Sequence, residues 1–550
     1  MSRDHLKLSV VLVVFLSASG TCAVLSRGGL IQDDIAHYLA ARYAWVHPIL
    51  LVDVWARPGY TVLASPFAQF GLQGARWLNV FVSLMACLVS YYLAKSLRLR
   101  EPWLAAAFTA VQPLFFRSSF GTLTEPLFGL LLAGATLFYL NNRFVASALC
   151  MSALPLTRAE GAVFAAAWFV LLLKERQMKA VLCLAVFPVL WVAASFALSG
   201  DPLYVLHSNP YLKADVYDSA GADLATKLSH WADYLIRWPS ITGPILLPLV
   251  SVGVIVGIAR RGAIISAVAI AYFIVQTAVM MSGRLGFFTD FNESLYPRFF
   301  VSIAPLLGAI AAQAVDYLFG ELAEAGWKGA AFVAVAVVQT FAFTWWFLQP
   351  HSPLGRIHLV VAWTVGAIAV ATALSKRRPT AMVSTTWIVI TLAVGVAYLT
   401  RWTGPYHLYP SDRLCIAASK WLRTSPLRDQ PLIVLHPSFW LESGRDPFDN
   451  SGLDAFRLAG GYDKLPASLR SLPDGAVIVW DSLFFVKHAR LPLESLDPNM
   501  FHPVHTASTS DDPANPFYRD GERPFSLVLL EKAADHDKLG ASEQSPRTRR

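Results

Sequence analysis

The sequence predicts an α-helical polytopic membrane protein of about 13 transmembrane helices with a small α/β domain on the exoplasmic side at its C-terminal end. Three observations lead to that fold class. The 550 residues are 55% hydrophobic and 15% charged, with a mean hydropathy of +0.47, which water-solvated domains do not match. Apolar runs able to cross a ~30 Å hydrocarbon core, at about 20 residues each, recur from Val10 to Leu399. Basic residues collect in alternate short loops between those runs, as the positive-inside rule requires.

The first run, Leu8 to Leu25, follows Arg3 and Lys7. It reads as a cleaved signal peptide or as a first crossing; Ser19-Gly20-Thr21-Cys22 lacks lipobox residues, which favours the uncleaved helix. Later helices are expected near 78–95, 102–116, 126–140, 144–156, 161–173, 179–199, 241–259, 262–281, 299–318, 329–348, 357–374 and 382–399. Lys95/Arg98/Arg100, Arg143, Lys174/Arg176/Lys179, Arg260/Arg261, Lys328 and Lys376/Arg377/Arg378 then stay on one side, and an odd count leaves the C-terminal domain outside the cytoplasm. Phe144 to Leu173, split by Pro155, Thr157, Arg158 and Glu160, reads either as two short half-crossings or as one broken element. Those loops also explain the net charge of +8 (45 basic, 37 acidic residues), so nucleic-acid binding is not expected.

Residues 1–400 thus form the membrane domain, with outer loops at 27–77, 200–240 and 283–298. Loops of that length normally carry function. Residues 401–532 form the α/β domain: Ser411 can cap a helix through Leu422, and Pro431 to Leu435, Ala476 to Val479 and Phe525 to Leu530 have strand character around turns such as Pro473-Asp474-Gly475. Asp481, at a strand end, reads as a turn cap before it reads as catalytic. The polar tail 533–550 is expected to be disordered. Cys22, Cys87, Cys150 and Cys183 lie in apolar runs, which leaves Cys415 alone in the polar region, without a disulfide partner or a zinc spacing.

The chemistry-bearing residues gather toward the outer face. Asp33 and Asp34 are adjacent carboxylates just beyond the first helix, and adjacent acids need a partner, a cation or a shared proton. They read either as a solvated helix start or as a general base beside an apolar wall, and they could hold a divalent cation. His37, one turn on, orients a carboxylate or faces solvent. Arg57 and Arg117 either snorkel at helix ends or bind an anion, whereas Arg298, at a helix start where the dipole disfavours a cation, calls for an anionic partner. Glu125 before Pro126 compensates a dipole, accepts a sugar hydroxyl or supports an arginine. Arg158 and Glu160, two apart, suit a mutual pair with a site role second.

Asp33-Asp34 resembles the acidic pair in the first external loop of the GT-C superfamily, polytopic transferases that use polyprenyl-phosphate sugars. Trp55-Ala56-Arg57-Pro58-Gly59-Tyr60 is similar to a segment of protein O-mannosyltransferases and the lipid A aminoarabinose transferase, and Ala75-Arg76-Trp77-Leu78-Asn79 to the start of their second helix. Leu123-Thr124-Glu125-Pro126-Leu127-Phe128, Leu156-Thr157-Arg158-Ala159-Glu160-Gly161 and Tyr296-Pro297-Arg298-Phe299-Phe300 with Pro305 resemble later segments, although Ala159 stands where mannosyltransferase-like members carry Pro. The likeness covers roughly residues 8–320 in order.

What the resemblance implies is a membrane glycosyltransferase without a resident cofactor. It moves a sugar, with mannose the lean, from a polyprenyl-phosphate donor to a lipid, glycan or protein hydroxyl, with inversion. Asp33 would be the base, with Asp34 beside it; Arg57, Arg298 and Arg117 or Arg284 would meet the departing phosphate; and Glu125, His37, Arg158 and Glu160 would hold sugar or support the site. A bacterial inner membrane is the expected location. The competing class is a transporter or flippase of amphiphilic lipid-linked substrates, which predicts charges buried along a mid-membrane pathway rather than near one surface.

Overall fold

Long apolar runs become helices that bury one stripe and turn other apolar side chains outward. Helix α1 (Arg3–Leu25) buries Leu8, Phe15, Ser19 and Ala23, while Val13 on its other faces is 61% exposed. An apolar helix with that surface suits hydrocarbon surroundings. The fold is that of a computed structural model describing residues 3–208, 242–243, 246–258, 262–281, 296–320, 381–449, 465–509 and 525–533. Expected helices near 329–348 and 357–374, most of the 200–240 and 283–298 loops, Arg284 and the tail from 534 lie outside the described residues.

Among the described residues the chain divides into two compact units. One takes in residues 3–26, 40–207 and the chain through Tyr406; the other takes in 27–39 and the chain from His407. Four helical stretches among the described residues, the last two each made of two consecutive elements, are long and apolar enough to cross a membrane: Arg3–Leu25, Gly71–Ser96, Met178–Ser199 and Arg298–Gly320.

In the first unit the 27–77 loop carries helices of its own, α2 (Gln32–Tyr43, whose early turns belong to the second unit) and α3 (Pro58–Ala68), before α4 (Gly71–Ser96). The run expected as one helix at 102–116 is two, α5 (Trp103–Ala110) and α6 (Pro113–Ser118). Pro113 has no N–H and forces Gln112 into an extended conformation, so the helix restarts at the proline. Next come α7 (Glu125–Leu140), α8 (Phe144–Thr157) and α9 (Gly161–Lys174). The run near 179–199 is likewise split, into α10 (Met178–Cys183) and α11 (Val186–Ser199); the ring of Pro188 crowds the carbonyl four residues back, at Leu184, where the helix is interrupted. Then follow α12 (Leu246–Ile258), α13 (Ala263–Met281), a 3₁₀ turn over Tyr296–Ile303, α14 (Ala304–Gly320, with Pro305 in its first turn) and α15 (Ala381–Trp402). α4 packs on α1, α5, α7 and α14, which places it at the centre of this unit.

Two observations settle the direction of the ambiguous 144–173 stretch. Trp168 Nε1 donates to Ser147 Oγ at 2.8 Å, and a Cβ at Gly161 would lie 2.6 Å from the Leu154 carbonyl oxygen. As the chain goes forward on α9 its partners go backward on α8, so the helices form an antiparallel hairpin, and only glycine fits at its closest approach.

In the second unit α16 (Pro410–Thr424) starts two residues earlier than a Ser411 cap implies: Tyr409 is the cap, and the Asp412 side chain accepts its N–H at 3.2 Å. Helix α17 (Pro437–Ser443) packs on α16, and α18 (Leu465–Arg470) follows. Strands β1 (Leu432–Val434), β2 (Val477–Asp481), β3 (Phe501–Ser508) and β4 (Ser526–Lys532) form one sheet in the order β1-β2-β4-β3. β1 and β2 are parallel and the other pairings antiparallel. β3 was not expected, because Pro503 and its polar, exposed residues lack strand character; it is an edge strand, broken by an irregularity between Pro503 and His505 and secured by β4.

At the end of β2, Asp481 Oδ1 accepts the Leu483 and Phe484 N–H groups at 3.0 and 2.6 Å, a turn cap, while Oδ2 has no hydrogen-bond partner among the described residues. Burial pushes Asp481 up from 3.8 to about 7 and His436 down from 6.5 to about 3. The Asp481 contribution to stability is therefore complete below about pH 4 and lost as pH rises through about 7; that of His436 is complete above about pH 6.5 and lost as pH falls through about 3. The two oppose each other in between. Asp481→Asn keeps the turn acceptor and removes one of the two raised acids, the other being Asp412, so between about pH 4 and 7 the stability of the full chain in detergent should rise with pH relative to wild type, whereas in His436→Gln, which keeps both acids, it should fall relative to wild type, each by up to a few kcal/mol. Indistinguishable pH profiles for the two variants would contradict this account.

Candidate functional site

The first unit buries a network of carboxylates and guanidiniums at helix ends. Glu125 opens α7 directly ahead of Pro126, where the ring fixes the first turn and the free N–H groups favour an anion. Its side chain is 2% exposed. Arg158 Nη1 donates to Glu125 Oε1 at 2.8 Å, and Arg298 Nε lies 3.4 Å from the same oxygen. Arg158 Nε also donates to Glu160 Oε1. Glu125 Oε2 has no hydrogen-bond partner among the described residues.

Backbone geometry delivers these groups. Arg158 caps α8 in an extended conformation (φ −156°, ψ 143°), so its side chain leaves the helix as the chain reverses, and Glu160 sits at the start of α9. Arg298 comes from the 3₁₀ turn before α14. Both guanidiniums lie over the Phe299 ring, 4.7 Å from its centre for Arg158 and 5.1 Å for Arg298, a cation–π arrangement that offsets part of their charge. Tyr272 Oη donates to the Phe299 carbonyl at 2.8 Å and packs against Phe128, Phe164 and Phe300. One side of the network is therefore an aromatic wall, in which the pairs are little screened.

Arg57 joins through α3. It precedes Pro58 with φ 62°, a left-handed conformation costly for a residue with a side chain. A Cβ at the following Gly59 would sit 2.9 Å from Thr157 Cγ2, so glycine lets the start of α3 close on the end of α8. The Arg57 charge then acts on Glu160. Around these residues Arg76 Nη1 donates to the Ser26 carbonyl at 2.7 Å and Asn79 Nδ2 to the Leu123 carbonyl at 2.9 Å. Through Asn79, α4 fixes the strand of chain two residues ahead of Glu125.

Of the nine residues singled out from the sequence, Glu125, Arg158, Glu160 and Arg298 thus share one network and Arg57 acts on it. Arg117 lies on α6, where its carbonyl accepts the Tyr406 hydroxyl. Asp33, Asp34 and His37 belong to the second unit. There Asp34 is buried and accepts the Leu30 N–H at 2.6 Å, His37 is buried, and Asp33 is half-exposed; the two adjacent acids therefore have unlike surroundings. Sequence reasoning missed Phe299 and Tyr272. Adjacency to Arg298 was a signal for Phe299, but Tyr272 lies inside an apolar run with none. Among the described residues no group of three or more His, Cys, Asp or Glu is arranged to hold a metal ion.

No family model and no curated protein matches the chain. Among solved structures it resembles ArnT from Cupriavidus metallidurans. The form bound to undecaprenyl phosphate shares 16% identity over 95% of this chain and 97% of that one, with a TM-score of 0.53; the apo form shares 15% over the same spans, with a TM-score of 0.49. The bound form establishes a likeness of fold over nearly the whole of both chains: mostly helical, with several apolar helices and a small sheet.

Removing Glu125 leaves Arg158 and Arg298 side by side without the carboxylate between them. Glu125→Gln should lower the stability of the detergent-solubilised protein by about 3–5 kcal/mol, the usual loss for half of a buried pair. Combining it with Arg298→Gln should cost less than the sum of the two single losses, because both changes remove the same 3.4 Å pairing. Strictly additive losses in chemical unfolding would show that the two residues are not coupled.

Proposed function

We propose that the protein is a membrane glycosyltransferase that moves a hexosyl group, with mannose the lean from Leu156 to Gly161, from a polyprenyl-phosphate donor to a lipid, glycan or protein hydroxyl on the extracytoplasmic side of a bacterial inner membrane. The observation that carries this reading is the composition of the buried network. Three guanidiniums, Arg57, Arg158 and Arg298, stand against two carboxylates, Glu125 and Glu160. Guanidiniums grouped beside an aromatic wall suit a lipid-linked phosphate, and the fold resembles that of a protein solved with undecaprenyl phosphate bound.

Asp33 acts as general base. It takes the proton of the acceptor hydroxyl while that oxygen attacks the anomeric carbon; the anomeric C–O bond to phosphate breaks, and its electron pair leaves with the polyprenyl phosphate. One displacement inverts the centre. Asp34 holds the local turn beside the base, and His37, one turn further along α2, orients it. Arg57, Arg298 and Arg117 offset the charge that grows on the leaving phosphate. Glu125 Oε2, without a hydrogen-bond partner among the described residues, accepts a sugar hydroxyl, while Arg158 and Glu160 keep Glu125 in place. No metal is required by this scheme, although Asp33 and Asp34 could share a divalent cation.

Purified protein incubated with a panel of labelled polyprenyl-phosphate sugars and candidate acceptors should release lipid phosphate. Asp33→Asn should reduce the rate by about 10²–10⁴-fold, the usual contribution of a general base, without changing thermal stability. Full activity in that variant would remove Asp33 as the base, and translocation of intact donor without release would favour the transporter class instead.

A further inference from the structure

The chain that leads into α2, just ahead of Asp33 and Asp34, has no helix or strand of its own over residues 26–31. Its backbone groups therefore depend on partners outside any regular ladder. Asp34 Oδ2 accepts the Leu30 N–H at 2.6 Å, and the Asp34 N–H donates to the Ile31 carbonyl at 3.2 Å. The Leu30 carbonyl accepts the Tyr409 hydroxyl at 3.1 Å. All of these residues belong to the second unit. Leu30, itself fully buried, is thus gripped at its N–H by a residue of α2 and at its carbonyl by the residue that precedes α16.

Tyr409 is a fixed point in its own right. Pro410 opens α16 and confines the residue before it to extended backbone, and Tyr409 lies there at φ −62°, ψ 156°. Asp412 Oδ2 accepts the Tyr409 N–H at 3.2 Å, and Asp412 Oδ1 accepts the Ser438 hydroxyl at 2.6 Å. The Ser438 N–H donates in turn to His436 Nδ1 at 3.3 Å. Asp412, Ser438 and His436 are buried, so this series of bonds anchors Tyr409 in the packing of α16 against α17. On the other side of the contact, glycines admit the close approach: a Cβ at Gly28 would lie 2.8 Å from the His407 carbonyl oxygen, and one at Gly29 would lie 3.0 Å from Asp34 Cβ.

We propose that Tyr409 is a positioning residue for the general base, an inference that rests on the reading of Asp33 in that role. Asp33 follows Leu30 by three residues and adjoins Asp34, one of the two groups that grip it. With the Leu30 peptide held at both ends, the first turn of α2 has a single direction, and that direction aims the half-exposed Asp33 carboxylate. Loss of the Tyr409 hydroxyl frees one end of the grip and lets the turn swing. One hydrogen bond contributes little to global stability, but a displacement of about 1 Å at a reacting group can slow a reaction about a hundredfold. The α/β domain thereby takes part in the transfer through Tyr409 without touching the substrate.

The test uses the full chain in phosphatidylcholine nanodiscs and the labelled polyprenyl-phosphate sugar that wild type consumes, with kcat and KM measured for wild type, Tyr409→Phe, Asp33→Asn and the double variant. Tyr409→Phe should lower kcat by about tenfold or more, with the donor KM and the thermal midpoint close to wild type, and should speed amide hydrogen exchange over residues 28–35. Because both residues act through one carboxylate, Tyr409→Phe should cost nothing further once Asp33 is Asn. Wild-type kcat in Tyr409→Phe, unchanged amide exchange, or losses that multiply in the double variant would overturn the inference and leave Asp33 as the base. Full activity in Asp33→Asn, or no turnover by wild type, defeats the transfer reading itself and this inference with it.

Discussion

A carboxylate buried among apolar helices is the constraint on which the first unit depends. Glu125 is nearly inaccessible, and an isolated charge so placed would cost far more than a domain's net stability. Two guanidiniums on one of its oxygens make the burial tolerable, yet they also repel each other, which Glu160 and the Phe299 face offset. The arrangement is stable only as a set. Its stability comes from mutual compensation, as in other buried charge networks, where an apolar replacement can do as well; the retention of charge in such a place is therefore more readily understood as chemistry than as stability.

The charges of the network share a second property. Each sits where a helix begins, ends or is replaced by a tighter turn: Arg57 ahead of α3, Glu125 at the start of α7, Arg158 and Glu160 between α8 and α9, Arg298 in the 3₁₀ turn before α14. Prolines 58 and 126 start two of those helices, and Pro155 precedes the reversal at Arg158. Helix ends are where backbone groups lack partners and where a short stretch of irregular chain can aim a long side chain sideways. Short, interrupted helices are thus the means by which a chain made mostly of apolar helices gathers polar groups.

The second unit solves a different problem. Its sheet buries β2 completely, so the polar groups at that strand's end must be held by turns. Asp481 caps the following turn with one oxygen, Asp412 takes the Ser438 hydroxyl at 2.6 Å, and His436 accepts the Ser438 N–H at 3.3 Å between the rings of Phe484 and Phe525. Burial drives the acids and the histidine toward their neutral forms, the state in which they are least costly inside a small core.

The sequence by itself determined the helical character of the chain, because length and continuous apolarity are local properties, and it marked α7, α8, α9 and three of the four strands closely. It also determined which charged residues lie at helix ends, since proline and glycine announce those ends. Breaks such as those before Pro113 and Pro188, and the edge strand β3 with its proline, were less legible: there the local signal is weak, and β3 is secured by its neighbour. Which charge meets which was decided only by tertiary structure. Glu125 and Arg298 are separated by several helices, and Tyr272 is one apolar-run tyrosine among many until packing sets its hydroxyl on the Phe299 carbonyl. Pairings of that kind depend on distance in space, which no local pattern encodes.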